Sequence, residues 1–179
     1  NRAAAAAEIG NSDIIIEPKD DPAALSAADP TPLAAYAGSF EYVLAPFRCH
    51  VLYEPTVEAQ EYFSVWGVSP KDISEFAGLS FTGVSPENLA EDEVIISAAT
   101  AARLGFSEGD SIDLNVHAHP GTYRIAGLAK SDGVFANETY VPVMIMSKAR
   151  LDGIFETGGV PNMLYFKLVR PAEKEEMIK

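Results

Sequence analysis

The stretch Glu93–Leu128 constrains the fold of this chain more than any other, because all its local signals agree. Val94-Ile95-Ile96 is a short β-branched run that reads as a buried strand. Ser97 follows as an N-cap, and Ala98–Leu104 is alanine-rich with high helix propensity. Gly105 stands where a helix stops in the left-handed conformation, so that Phe106 can fold back on Ala101. Gly109-Asp110 makes a turn, and Ile112, Leu114 and Val116 then alternate with Asp113, Asn115 and His117 as a half-buried strand. Pro120-Gly121 is the expected turn into Thr122–Leu128, which completes a hairpin. The unit is built to pack and to present a surface, and it carries no obvious catalytic group.

The surrounding chain is long enough, at 179 residues, for one domain or two small ones with real cores. Its 47% hydrophobic content makes it globular and not disordered. With 26 acidic against 13 basic residues the net charge is −13, which repels a phosphate backbone and excludes nucleic acid as the expected partner. The same charge disfavours adhesion to anionic headgroups, and solubility is its commoner meaning. Cys49 is the single cysteine, so no disulfide can form within the chain and a disulfide-stapled scaffold is ruled out. Within Phe47–Val51 it reads as a small buried hydrophobe. No apolar run approaches the roughly 18–20 residues of a spanning helix.

In chain order, Arg2–Ile9 has helical propensity but is shorter than the roughly 12–15 residues an isolated helix needs, so it reads as the end of a longer helix. Asp13–Glu17 is a compact strand, Lys19–Pro32 a loop, and Leu33–Ala37 a short helix ending at Gly38. Phe40–Tyr53 is a long strand candidate that Pro46 breaks or bulges. Val57–Val68 pairs with it across a hairpin-like connection at Pro55-Thr56. Ser69-Pro70 opens a helix with Ile73, Phe76 and Ala77 on its apolar face and Gly78 at its end. Thr139–Met146 is a strand that Pro142 would place at an edge. Ser147 caps the next helix, with Leu151, Ile154 and Phe155 on one side. Met163–Val169 is the last strand, and Pro171–Lys179 starts a charged helix that would fray unless the chain continues.

The residue types that usually carry chemistry have structural readings here. His117-x-His119 on one strand would place two imidazoles on one face, the start of a zinc or copper site. Catalytic zinc needs three protein ligands, however; Asp113 is one strand repeat further off and His50 is remote. A metal hydrolase using His117 and His119 is therefore the weakest reading. Cys49 and His50, adjacent on a strand, point to opposite faces and cannot act as nucleophile and base. Ser97 lacks the Gly-x-Ser-x-Gly elbow and reads as a cap. The glycines of Gly105–Asp110 have neither the lysine nor the following helix of a phosphate loop. Glu87, Glu91, Asp92 and Glu93 lack the ligand spacing of a calcium loop and read as solvated. Tyr62, Phe63 and Trp66 would split across two strand faces, core by default and a partner patch in the minority reading.

Taken together, Val94–Ser97, the alanine-rich turn to Leu104-Gly105, Gly109-Asp110-Ser111-Ile112 and Tyr123–Gly127 resemble the extracytoplasmic core domain of FtsX-like/MacB-like ABC transporter permeases. In that family a run of the form v-I-S-x-x-x-A-x-x-L-G-x-x-x-G-D-x-I-x-L precedes a hairpin ending in V-x-G. Ala101 or Ala102, Leu104, Gly105, Gly109, Asp110, Ile112 and Leu114 fill those places. Thr139–Pro142 before a capped helix, and Met163–Val169 before a charged one, follow the same order, so the resemblance spans most of Asn11–Lys179.

The resemblance implies an α+β fold in two lobes. A discontinuous α/β, porter-like lobe would come from residues 1–68 plus 160–179, and a mostly β, sabre-like lobe from the inserted residues 69–159. It implies membrane helices before Asn1 and beyond Lys179, and a location at the cell membrane on the extracytoplasmic side. The implied partners are the membrane helices of the permease, a separate ATP-binding subunit or domain and, outside the membrane, a partner protein or exported substrate. It implies a non-enzymatic role coupling ATP-driven motion to those contacts. The matching positions are structural, so no catalytic, cofactor-binding or metal residue carries over and no cofactor is implied. The alternative is a soluble double-psi-barrel-like domain that binds a small molecule or nucleotide, since the L-G-x-x-x-G-D-x-I-x-L run also occurs there.

Overall fold

Pro46 divides the molecule. Phe40–Leu44 (β2) lies in one sheet and Phe47–Thr56 (β3) in another, with Ala45-Pro46 between them. Proline has no N–H for a ladder, so the long strand candidate breaks there. The architecture is that of a computed structural model describing residues 12–18, 28, 29 and 31–170. Among them β2, Ile14–Ile16 (β1) and Leu164–Leu168 (β9) form a small antiparallel sheet in the order β1-β9-β2.

A closed barrel is built from β3 with Ala59–Gly67 (β4), Glu93–Ser97 (β5), Ser111–Val116 (β6), His119–Ala129 (β7) and Val143–Met146 (β8), in the order β3-β4-β8-β5-β7-β6. The pairs β4–β8 and β5–β7 are parallel, so the sheet is mixed. Three α-helices are described, Pro70–Ala77 (α1), Ala98–Leu104 (α2) and Lys148–Phe155 (α3), with 3-10 turns at Thr31–Ser39 and Gly133–Phe135. The fold is α+β, as expected.

Sheet membership cuts across residues 1–68 and 160–179. Only β1, β2 and β9 of those segments share a sheet; β3 and β4 are barrel strands, because β4 pairs with β8 and β3 closes against β6 at Leu52↔Asn115. The first strand of the barrel begins at Phe47. The expected helices Arg2–Ile9 and Pro171–Lys179, and most of the loop Lys19–Pro32, lie outside the described residues.

Period-two alternation sorts the core into three clusters. Phe63, Val65, Val94, Ile96, Met144 and Met146 fill the barrel interior. Their strand neighbours Trp66, Ile95, Val143 and Ile145 face outward into a second core with Leu44, Tyr165 and the α1 residues Ile73 and Phe76. Leu164, Phe166 and Leu168 form a third with Ile14 and Leu33 on the far side of the small sheet. β8 is buried along its whole length and runs between β4 and β5, so it is not the edge strand that Pro142 suggested. Pro142 immediately precedes it and needs no N–H; its carbonyl accepts the Ser64 amide at 2.8 Å.

Helix ends fall where the sequence puts them. Ser69 and Ser97 side chains each accept the amide three residues on, at 3.0 Å, and Gly105 caps α2 at φ 80°. The hairpin turn does not. β6 ends at Val116 and β7 starts at His119, leaving His117 and Ala118 as a two-residue turn at φ 48° and 62°. Both central residues of such a turn take positive φ, which normally selects Asn and Gly. Gly121 serves another purpose: a Cβ there would lie 3.2 Å from the Tyr123 ring. Pro120 opposes Asn115, one pair beyond the turn-closing pair Val116↔His119, where the amide faces away from β6 and a missing N–H costs no ladder bond.

Candidate functional site

None of the residue types that suggested chemistry converges. His117 sits in the turn with its ring 4.6 Å from that of Phe155, and His119 starts the next strand with its Nδ1 2.9 Å from the His117 carbonyl. They do not share a strand face as the sequence suggested, because the strand ends before His117. Among the described residues no group of three His, Cys, Asp or Glu side chains is arranged to hold a metal. Cys49 is buried while His50 is exposed, on the opposite face. Burial pushes the Cys49 thiol up to about 12 against the opposing charge of Arg48, so it is no nucleophile. Within the acidic run, Glu93 accepts the Ala90 amide at 3.0 Å and pairs with Arg124. Those bonds, the amide first, hold its carboxyl below the ordinary glutamate range.

What the fold does bring together is a polar junction between barrel and small sheet. Arg48 leaves β3 with its guanidinium 3.6 Å above the Trp66 ring. It donates to Tyr165 Oη on β9 at 2.9 Å, to Ser64 Oγ at 2.8 Å and to the Val65 carbonyl at 3.3 Å. The rings of Trp66 and Tyr165 are 5.2 Å apart. Asn162, buried just before β9, bonds both backbone groups of Arg48: its Oδ1 accepts the amide at 2.6 Å and its Nδ2 donates to the carbonyl at 2.7 Å. Arg48 thus adds polar ties, by side chain and backbone, to the apolar packing between the small sheet and the barrel. Sequence reasoning missed Arg48, Asn162 and Tyr165. They lie on separate elements, and only the tertiary fold makes them neighbours.

Beside this junction the loop before β8 raises a ridge. Tyr140 is 95% exposed and Val141 39%, and the loop is held by Glu138, whose Oε1 accepts the Val143 amide at 2.7 Å. On one side a cleft of about 260 Å³ runs down to Arg48, His50, Ser64 and Trp66. On the other an open groove of about 540 Å³ lies against Tyr53, Tyr62, Leu104 and the Arg103–Glu61 pair. Phe63 and Trp66 are core, as expected, whereas Tyr62 is 55% exposed in this groove. Among the described residues these two depressions bring together no nucleophile, base and oxyanion set.

No family model matches the chain, and no curated relative matches it in sequence. Solved structures do. The extracellular domain of the noncanonic ABC-type transporter YknZ from Gram-positive bacteria is 14% identical, with a TM-score of 0.58 over 93% of this chain and 89% of that one. This is the fold of ABC-permease extracytoplasmic domains. The periplasmic region of MacB from Actinobacillus actinomycetemcomitans shares it at 9% identity and TM-score 0.54, over 90% of this chain and 78% of that one. A domain of a putative permease from Porphyromonas gingivalis is 14% identical with TM-score 0.51; this chain, matched over 82% of its own length, spans 65% of that domain. The permease-domain fold places the Arg48 junction and the Tyr140 ridge on a scaffold shared by extracellular and periplasmic domains. No described helix is long and apolar enough to cross a membrane.

Proposed function

We propose that the chain is the extracytoplasmic domain of an FtsX/MacB-type ABC permease, non-enzymatic, that passes ATP-driven motion to a partner protein or substrate outside the membrane. The observation that carries this reading is the near end-to-end match to the YknZ extracellular domain. The small sheet supports it. β1 and β9 are antiparallel neighbours: the Asp13 amide donates to the Phe166 carbonyl at 2.8 Å, and Asp13 Oδ2 accepts the Leu168 amide at 2.9 Å. The chain therefore enters and leaves this sheet on one side, the arrangement a domain tethered by both ends to one membrane requires. Motion of membrane helices, driven by a separate ATP-binding subunit or domain, would load β1 and β9, pass through Tyr165 and Asn162 to Arg48, and reach the barrel and its Tyr140 ridge.

Tyr140→Cys in the full-length protein, with any cysteine outside these 179 residues replaced by serine, tests the topology, because buried Cys49 leaves the introduced thiol as the reactive one. A membrane-impermeant maleimide should label Tyr140→Cys in intact cells, after outer-membrane permeabilisation where there is one. Labelling only after lysis would overturn the reading.

The closed six-stranded barrel favours the architecture of the alternative, a double-psi-barrel-like small-molecule or nucleotide binder. Its interior is filled by side chains, including Phe63, Val65, Ile96 and Met144, so such a ligand would need one of the surface grooves. Micromolar nucleotide binding by the isolated chain would support it.

A further inference from the structure

We infer that the outer edge of β4 at Gln60 and Tyr62 is a strand-addition site that takes an extended, basic peptide segment of a partner protein. The inference rests on backbone direction. Successive amides of a strand point to opposite edges, and the Ser64 amide goes to the Pro142 carbonyl at the start of the β8 side. The backbone groups of Tyr62 and Gln60, two and four residues back, therefore point the same way, away from β3. Pairing with β8 begins only at Ser64↔Val143, because the chain ahead of β8 swings out to form the Tyr140 ridge. Among the described residues no strand pairs with that side of β4 over Ala59–Phe63. The open groove lies along this edge.

Natural edges are usually blunted by proline, lysine or a covering loop. This stretch, Ala59-Gln60-Glu61-Tyr62-Phe63, has neither proline nor lysine, and its one charged side chain, Glu61, is held to the barrel surface by Arg103. A strand laid in the groove in line with β8 would gain main-chain bonds from Gln60 and Tyr62. Its alternate side chains would meet Tyr53 and Leu104 on one face and Tyr62 on the other. Charge selects the occupant. The hairpin that carries the edge holds Glu54, Glu58 and Glu61, with Arg103 engaged by Glu61 at 2.6 Å, and the whole chain is at −13. A segment bearing lysine or arginine on alternate positions complements it.

The site deepens the proposed function by naming the class of partner, yet its test does not depend on the transporter. Amide exchange of the isolated, isotope-labelled chain is measured by NMR with a blocked octapeptide of alternating lysine and valine. At saturation, exchange at Gln60 and Tyr62 should slow at least tenfold. An octapeptide of glutamate and valine should bind at least tenfold more weakly, and the lysine peptide N-methylated at every second nitrogen should not protect the edge. Tyr62→Pro removes an outward amide while keeping the β3 ladder and should abolish protection; Gln60→Pro is the second variant if the first misfolds. Absence of protection in the wild-type chain, or equal protection by the acidic peptide, overturns the site. Protection that rises with protein concentration and no peptide would assign the edge to a second copy and also overturn it. Either result leaves the Tyr140→Cys labelling result untouched, and failure of that labelling leaves this one standing.

Discussion

Asn162 stands beside Arg48 as a neighbouring strand would, its amide oxygen 2.6 Å from the Arg48 nitrogen and its amide nitrogen 2.7 Å from the Arg48 oxygen. Among the described residues β3 pairs with β6 only at Leu52↔Asn115, so the ladder along β3 ends short of Arg48. One carboxamide replaces the missing strand. It also fixes the backbone from which the guanidinium reaches Tyr165.

Removing that carboxamide takes away two bonds to the partly buried Arg48 backbone. Asn162→Ala should cost about 2–4 kcal/mol in urea unfolding, at roughly 1–3 kcal/mol per orphaned group. Trp66 is the only tryptophan and lies under the Arg48 guanidinium, so its fluorescence should change in the folded variant as well. An unchanged Trp66 spectrum with unchanged stability would mean that the junction holds nothing.

The turn at His117-Ala118 is strained, since left-handed backbone costs a non-glycine residue about 1 kcal/mol. Ala118→Gly should therefore raise unfolding stability by about 0.5–1 kcal/mol, although glycine usually destabilises the interior of a strand or helix. Thermal and urea denaturation against wild type would measure the gain.

Glu93 gives the chain a defined acid sensitivity. Its carboxyl is held below the ordinary range, first by the Ala90 amide and then by Arg124. A lowered folded value contributes stability that is complete above the unfolded glutamate range, near pH 4.3, and is lost as pH falls through the folded value. Glu93→Gln should lower stability by about 1–2 kcal/mol at pH 7, mainly through the charge-assisted amide bond, and should flatten the decline below pH 4. Parallel slopes for the two proteins in that window would refute the assignment.

Cys49 should be inert in the native state. With its thiol pushed up to about 12 and its side chain buried, Ellman's reagent at pH 8 should react only as the chain opens. The rate should climb with urea in step with unfolding. Rapid modification of the folded chain would contradict the packing of β3.

Much of the fold was legible in the sequence because its signals were local. Ser69, Ser97 and Ser147 cap helices, Gly78 and Gly105 end them, and Pro46 breaks a strand, all from chemistry confined to a few residues. The errors arose where long-range packing overrode local preference. Pro120-Gly121 is strong turn chemistry, yet Gly121 is used to admit the Tyr123 ring, and the turn falls on His117-Ala118. Pro142 suggested an edge, yet it lies just ahead of a fully buried strand. Strand pairing places β3 and β4 in the barrel, which no local signal in their sequence announces. The site was not legible at all. Arg48, Asn162 and Tyr165 belong to no motif, and their partnership exists only once β3 and β9 have come together.

The pairing of β1 with β9 has a mechanical consequence. Tension that separates the two ends acts on this pair as on the open end of a zipper, breaking one rung at a time, whereas shear would load all rungs at once. β1 contributes only three residues, so the small sheet is the compliant member and the closed barrel, which has no free end to peel, is the stiff one. Under the proposed role, a pull on the two ends is taken up first at Ile14–Ile16, before the barrel deforms.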